Sequence, residues 1–107
     1  MSQVSNVLRS IQGGFAHWCV ACDQMHVIPT GAPYKVHWTF DGNVEAPTFG
    51  PSVKITWGRG EQPPLICHYF VRAGCIEYCS DSTHTLAGKT LPLTPPPADE
   101  DWTDEEG

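Results

Sequence analysis

Two cysteines, two histidines and a tryptophan lie within ten residues near the start of the chain, in HWCVACDQMH at positions 17–26. Cys19 and Cys22 have the C-x2-C spacing of a zinc knuckle, in which a short turn brings two thiolates to one tetrahedral ion. A redox motif of the same spacing is expected before a helix in a βαβ unit, whereas the strand-like sequence MHVI follows here. The pair therefore predicts half of a zinc site.

A predicted β-hairpin sorts the candidates for the other half of the site. LICHYFVR and CIEYC flank Ala73-Gly74, which indicates a two-residue turn. Residues that pair directly across two strands share a face of the sheet. One face would then be apolar, with Cys67, Tyr69, Val71, Ile76 and Tyr78, and the other would carry His68, Phe70, Cys75, Glu77 and Cys79.

Two complete zinc sites are compatible with this register. In the first, Cys67 and His84 join the knuckle, and in the second His68 and Cys79 do. Periodicity favours the first, because it places the metal against the core. His26 either binds the ion or lies beside it and orients a ligand. Iron also fits a tetrahedral thiolate-rich site, so the residues alone do not distinguish it from zinc.

The size and composition of the chain indicate one soluble domain. It has 107 residues, 40% of them hydrophobic, and no apolar run approaches the ~20 residues that span a bilayer. The N-terminus lacks the apolar segment of a secretory signal, so we expect a cytoplasmic protein with no membrane association. Its five cysteines are then more typical of metal ligands or buried thiols than of disulfides.

The negative charge is concentrated at the C-terminus. The net charge is −6, and six of the twelve acidic residues lie within 99–107. The rest of the chain is formally neutral and has no cluster of lysine or arginine, which argues against nucleic-acid binding. We expect the Pro-rich acidic segment 94–107 to be disordered, with Trp102 as an anchor if the segment binds a basic partner.

The remaining patterns predict a small, mostly β protein: a zinc-stapled antiparallel domain that is zinc-ribbon-like around the knuckle. We assign 1–14 as an N-terminal segment, 15–93 as the zinc-binding β domain and 94–107 as the tail. Asn6 predicts a helical turn over VLRSIQ, and DSTHTLAGK a second short helical turn. The predicted strands are FAHWC, MHVI, YKVHWTF, SVKITW, the two arms of the hairpin and KTLPL.

Taken in order, five motifs resemble a family of small uncharacterised phage and prophage proteins. They are HWC-x2-C-x3-H, W-x-F-D-G, P-T-F-x-P-S, C-H-x-F-V-x-x-G-x-I-x-[YF] and D-S-T-H-x-L-A-G-K, and they extend from about Phe15 to Leu93. Some members are labelled ammonia monooxygenases. That activity belongs to large membrane-embedded metal enzymes, and this chain has no segment to match, so we do not expect it here.

The resemblance implies a ligand set and a cellular setting. Its pattern contains positions that match Cys19, Cys22, His26, Cys67, His68, Asp81 and His84, but no cysteine at Cys75 or Cys79. It therefore implies Cys19, Cys22, Cys67 and His84 as ligands, with His26, His68 and Asp81 beside the metal. Its knuckle usually has glycine where this chain has Asp23, so we expect a slightly strained turn. Relatives also occur beside ubiquitin-like conjugation genes in bacteria, which implies partners of that class in a bacterial host cell.

Two functions are compatible with such a site. Three thiolates and a histidine favour a closed, structural zinc, so we expect a binding module for an unidentified protein partner rather than an enzyme. The alternative is a zinc hydrolase with an open metal position, in which His68 or Asp81 acts as the general base. The hydroxyl of Thr48 or Ser52 would then orient the substrate.

Overall fold

The computed structural model describes residues 2–101, which form two antiparallel sheets. The first sheet has the order β1-β2-β3-β4, with β1 Ser2–Gln3, β2 Arg9–Ile11, β3 Gly14–Cys19 and β4 Gln24–Pro29. The second has the order β5-β6-β7-β8-β9, with β5 Thr39–Phe40, β6 Phe49–Arg59, β7 Gln62–Arg72, β8 Cys75–Tyr78 and β9 Thr90–Pro92. The predicted mostly-β class is confirmed, and a 3-10 turn follows at Ala98–Glu100.

The β7–β8 hairpin has the register that the sequence predicts. Tyr69 pairs with Tyr78, and Arg72 pairs with Cys75 across the two-residue turn. Ala73 and Gly74 both have positive φ, 48° and 80°, as the turn type that matches strand twist requires. A Cβ at Gly74 would lie 3.0 Å from the Cα of Ala46, so glycine also permits a close approach there.

The main core lies on the apolar face of this hairpin and on one face of the first sheet. Because side chains alternate along a strand, the predicted apolar face of the hairpin is buried as one set. The buried residues of this core are Leu8, Cys19, Ile28, Phe49, Val53, Cys67, Tyr69, Val71, Ile76, Tyr78 and Leu93.

The opposite face of the first sheet is covered where the C-terminal segment meets it. Ala16, Trp18 and Met25 form a second buried cluster there, and Arg9 shares their face because it pairs with Ala16. The Arg9 guanidinium is buried, and it donates to both carboxylate oxygens of Asp101, at 3.2 and 3.1 Å. The segment after Leu93 is thus fixed at Asp101, and the rest of the predicted tail, including Trp102, lies outside the described residues.

Three local predictions were wrong. The predicted helical turn at 7–12 is a turn followed by β2, because the Ser5 hydroxyl accepts from the amide groups of Val7 and Leu8. Of the predicted strand YKVHWTF only Thr39–Phe40 is a strand. The segment 81–89 forms hydrogen-bonded turns instead of a helical turn. One helical turn is too short to be stable without tertiary support. Residues 2–101 contain no helix long and apolar enough to cross a membrane.

Candidate catalytic and metal sites

Strand β7 carries two adjacent residues into two different sites. Cys67 is buried on the core face, whereas His68 is half-buried on the opposite face. Successive side chains of a strand point to opposite faces of its sheet. The molecule therefore has a cysteine-rich cluster inside and a polar cluster on its surface, separated by the thickness of one sheet.

The interior cluster contains Cys19, Cys22, His26 and Cys67, and we call it the metal cluster. Each offers one donor atom, and these four atoms all lie within 4.8 Å of one another. The Sγ atoms of Cys19 and Cys67 are 3.9 Å apart, close to the separation of about 3.8 Å that tetrahedral zinc with bonds of about 2.3 Å imposes on two thiolates. Nε2 of His26 is buried without a hydrogen-bond partner among residues 2–101. This donor set could hold a metal ion and fits zinc.

Three separate elements bring the ligands of the metal cluster together. Cys19 ends β3, and the amide of Asp23 donates to its carbonyl at 2.8 Å to close the knuckle turn. Asp23 has φ 57°, in the left-handed region that favours glycine, which agrees with the strain expected at this position. His26 reaches the core face because it pairs with His17 across β3 and β4.

The thiols of the metal cluster hold their protons unequally. A hydrogen bond from Cys67 lowers the pKa of Cys19 to about 3, and the same interaction raises the pKa of Cys67. Burial raises the pKa of Cys22 to about 11. The hydroxyl of Tyr78 lies 3.1 Å from Cys19 Sγ and accepts from the amide of Ala21 at 3.4 Å. A thiolate at Cys19 has no proton to give, so the hydroxyl donates to the sulfur and stabilises its charge.

His84, which the sequence analysis took as the fourth ligand, lies beside the metal cluster but outside its four donors. Its ring packs edge-on against Tyr78, with the centroids 4.6 Å apart. Nδ1 accepts from the amide of Leu86 at 3.2 Å, which places the proton of a neutral ring on Nε2. That Nε2 is buried and has no partner within the described chain. His84 and Cys22 both line a cavity of about 550 Å³.

Two further histidines, each next to a tryptophan in the sequence, differ in burial. His37 is exposed, whereas His17 is only 1% exposed. Nδ1 of His17 donates to the carbonyl of Trp18 at 3.2 Å, so Nε2 accepts from the Tyr69 hydroxyl at 2.7 Å. Desolvation, and then the neighbouring His26, lower the pKa of His17 to about 4. His17 is therefore a neutral core residue.

The surface cluster is a hydrogen-bonded chain of Ser52, His68 and Asp81, which we call the triad. Nε2 of His68 lies 3.0 Å from Ser52 Oγ, and Nδ1 lies 2.9 and 3.1 Å from the two carboxylate oxygens of Asp81. An ionised carboxylate only accepts, so Nδ1 donates to Asp81. In the neutral ring Nε2 then carries no proton, and it accepts from the Ser52 hydroxyl. This is the arrangement of a serine nucleophile with its base and orienting acid.

The pairing of β6 with β7 positions the serine. Lys54 pairs with His68, and the register shifts between Phe49 and Val53. Ser52 therefore lies near His68 on the outer face. The indole of Trp38 donates to the Ser52 carbonyl at 3.1 Å, which holds the backbone at that point. Thr48 does not join the triad, because its hydroxyl accepts from the amide of Ala73 at 2.8 Å and braces the loop.

The segment after β8 positions the acid. The Ser82 hydroxyl accepts from the His68 amide and donates to the His68 carbonyl, both at 3.0 Å. Thr83 bonds the backbone of Ile66 in a similar way. These contacts continue the ladder beyond the end of β8 and hold Asp81 against the imidazole. The hydrogen bond from His68 is the main reason that the pKa of Asp81 is lowered, and Lys54 at 3.9 Å adds to the effect.

A comparison with known families agrees with this geometry. Residues 2–79 match the family described as "bacterial ubiquitination-like system serine protease (BubE)". The chain belongs to this family. It has no significant match among curated proteins or among solved structures. The description of BubE is compatible with the link to ubiquitin-like conjugation that the resemblance implied, whereas the phage origin stays a prediction.

Membership of BubE shows what sequence reasoning missed. The hydroxyl of Ser52 was considered only as a group that orients substrate. His68 was considered as a zinc ligand with Cys79, as a residue beside the metal, or as a base next to an open zinc. In the structure Ser52 lies against His68, while His26 belongs to the metal cluster on the other face. The sequence does contain the three residue types of a triad, in the chain order Ser, His, Asp, and this was the one sign from which the contact could have been predicted. Its spacing carries no recognisable pattern, because strand pairing and not sequence distance brings the three together.

Proposed function

We propose that this BubE protein is a serine protease whose catalytic residues are Ser52, His68 and Asp81. The observation that carries the proposal is the continuous hydrogen-bonded chain from the serine hydroxyl through both imidazole nitrogens to the carboxylate. The triad is open to substrate, since the side chains of His68 and Asp81 are 24% and 48% exposed. The family description supports the same reaction class.

The protonation states of the triad define each step of acyl transfer. Nε2 of His68 takes the proton as Ser52 Oγ attacks the carbonyl carbon of the scissile bond, and the imidazolium then gives that proton to the leaving amine. Asp81 keeps the imidazole in the Nδ1–H tautomer and stabilises its positive charge. Water then hydrolyses the acyl-enzyme, with His68 again acting as the base.

We propose that the metal cluster holds zinc, with Cys19, Cys22, Cys67 and His26 as the ligands and His84 as the alternative to His26. A site of this kind would be structural, because three thiolates and an imidazole leave no open position for water. Zinc would supply no step of the reaction. It would stabilise the sheet that carries His68, on the scale of the ~10–16 kcal/mol measured for small zinc peptides.

The substrate class follows from the family. We propose that the protein cleaves a peptide or isopeptide bond in a component of a bacterial ubiquitination-like system. Both bonds are amides, so the triad treats their carbonyl carbons alike. The interaction surface expected for a binding module would then be the surface that recognises this component, and its identity stays a prediction.

Labelling with a fluorophosphonate tests the proposed nucleophile without knowledge of the substrate, since the oxygen of an activated serine attacks the phosphorus of such a probe, displaces fluoride and keeps the phosphonyl group as a stable adduct. We expect intact mass to show one adduct on the wild type and none on Ser52→Ala. The matched control is Ser10→Ala, which removes a hydroxyl from the other sheet and should label like the wild type. An adduct that persists in folded Ser52→Ala would overturn the assignment.

A further inference from the structure

A second cysteine-containing group overlaps the triad. His68, Cys79 and Asp81 each offer a donor atom, and the three atoms lie within 4.8 Å of one another. Two of these residues are the base and the acid of the triad, and the third adds a thiol that the proposed reaction does not use. Imidazole nitrogen, thiolate and carboxylate oxygen are the ligand types that zinc prefers.

The position of Cys79 follows from the hairpin. Its amide donates to the His68 carbonyl at 2.8 Å, which continues the β7–β8 ladder by one pair beyond Tyr69 and Tyr78. Directly paired residues share a face, so the thiol lies on the outer face with the imidazole. Cys79 is half-buried, and it is separate from the metal cluster, to which β7 contributes only Cys67 on its core side.

A metal ion at this group would be incompatible with the triad. Coordination through Nδ1 of His68 requires a lone pair on that nitrogen, so the proton of the neutral ring must move to Nε2. Nε2 then donates to Ser52 Oγ and no longer accepts its proton. The carboxylate of Asp81 would bind the ion instead of Nδ1–H. Both changes remove the general base without displacing any strand.

We propose that a thiophilic divalent cation, with Zn²⁺ as the reference ion, binds reversibly to His68, Cys79 and Asp81 and switches off the triad. The Cys79 thiol releases its proton to solvent when the ion binds, while the imidazole only changes tautomer. The three protein ligands leave a fourth position for water, as in open zinc sites. The inhibitory effect rests on the proposed serine protease activity, whereas binding of the ion does not.

Binding is tested on protein whose metal cluster has first been filled with one equivalent of Zn²⁺. Co²⁺ is then titrated, and its thiolate-to-metal absorption is recorded for wild type, Cys79→Ser and the control Cys75→Ser. Cys75 is half-buried in the same hairpin but belongs to neither group of donors. We expect a second equivalent with thiolate absorption in the wild type and in Cys75→Ser, and none in Cys79→Ser. Identical titrations of all three proteins would overturn the site.

Inhibition is tested by fluorophosphonate labelling of the same three proteins, with the metal cluster filled, at increasing free Zn²⁺, each relative to its own rate before the additional Zn²⁺. We expect the half-inhibitory concentration to rise at least about tenfold in Cys79→Ser, because loss of even an outer partner of a metal ligand costs that much affinity. Equal inhibition of wild type and Cys79→Ser would refute the switch. Absence of labelling in wild type that holds only the one equivalent of Zn²⁺ in the metal cluster, with cobalt still binding through Cys79 in the titration, would refute the protease activity and leave the metal site standing.

Discussion

The two faces of β7 differ in nearly every physical property that matters for a functional site. On the core face, Cys67 is fully buried and its sulfur lies 3.9 Å from that of Cys19. On the outer face, His68 is partly exposed and bonded to Ser52 and Asp81. Three of the four inner donors belong to buried residues, and three thiolates with an imidazole complete a tetrahedral set, which suits a structural ion. The outer chain of hydrogen bonds is open at the serine, which suits chemistry on a substrate.

This difference shows how a small domain can separate stability from catalysis. A strand of alternating side chains couples the two sites only through its backbone, so a substitution on one face should leave the chemistry of the other largely intact. At 107 residues the chain buries a modest core, and small domains often depend on a metal to complete it. The following variants test this separation.

The largest effect is expected from Cys67→Ser, which should release the metal and unfold the domain. Structural zinc contributes on the order of 10–16 kcal/mol in small peptides, more than the total stability of most domains of this size. Native mass spectrometry would give the metal content, and thermal unfolding the stability. Cys75→Ser is the control and should retain both. A folded Cys67→Ser protein with its metal would mean that the inner cluster is not a structural site.

Asp81→Asn should act on the outer face alone. The amide favours the wrong imidazole tautomer, and an equivalent substitution in a serine protease triad lowers kcat by about 10⁴. We expect a loss of labelling rate of roughly that size, with unchanged metal content and unfolding temperature. Glu77→Gln, a carboxylate that pairs instead with Arg72, is the matched control. A similar loss of labelling rate in both variants would mean that the rate depends on the net charge of the surface and not on the triad.

The pair His26→Ala and His84→Ala distinguishes the two candidates for the fourth ligand. His26 lies among the inner donors and His84 does not, so we expect His26→Ala to weaken zinc binding at least 10–100-fold and His84→Ala to change it little. Competition with a chromophoric chelator would measure both affinities. The reverse ranking would restore the ligand set Cys19, Cys22, Cys67 and His84, and would require the ring of His84 to leave its contact with Tyr78.

The smallest effect is expected from Lys54→Met. The ammonium lies 3.9 Å from an exposed carboxylate of Asp81, and exposed ion pairs of this kind contribute little. Since Lys54 helps to lower the pKa of Asp81, its loss should raise that pKa slightly and slow labelling by less than about fivefold. The difference from wild type should vanish at high salt, because screening removes such interactions. A large effect that persists at high salt would assign Lys54 a direct role in catalysis.

The sequence-based predictions succeeded where strong signals lie close together in the chain. The β7–β8 hairpin was predicted in its register because Ala73-Gly74 and the alternating residues beside it are local signals. The approach of Cys67 to the knuckle followed from that register. By contrast, the helical turns failed because a single turn has too few local contacts to outweigh the alternatives that Ser5 and Ser82 offer the backbone.

The amino-acid sequence by itself determined that this chain is mostly β and which face of the hairpin is buried, and it favoured Cys67 over Cys79 as the partner of Cys19 and Cys22. Those properties depend on residue type, on turn chemistry and on the two-residue period of a strand. Only the tertiary structure decided that His26 and not His84 lies among the inner donors, and that Ser52 meets His68 and Asp81. His26 faces the inner cysteines because it pairs with His17 across β3 and β4. The triad depends on the pairing of β6 with β7, the register shift before Val53 and the hydrogen bonds between Ser82 and His68. These contacts join residues that are separated in the chain, and no local pattern encodes their distances.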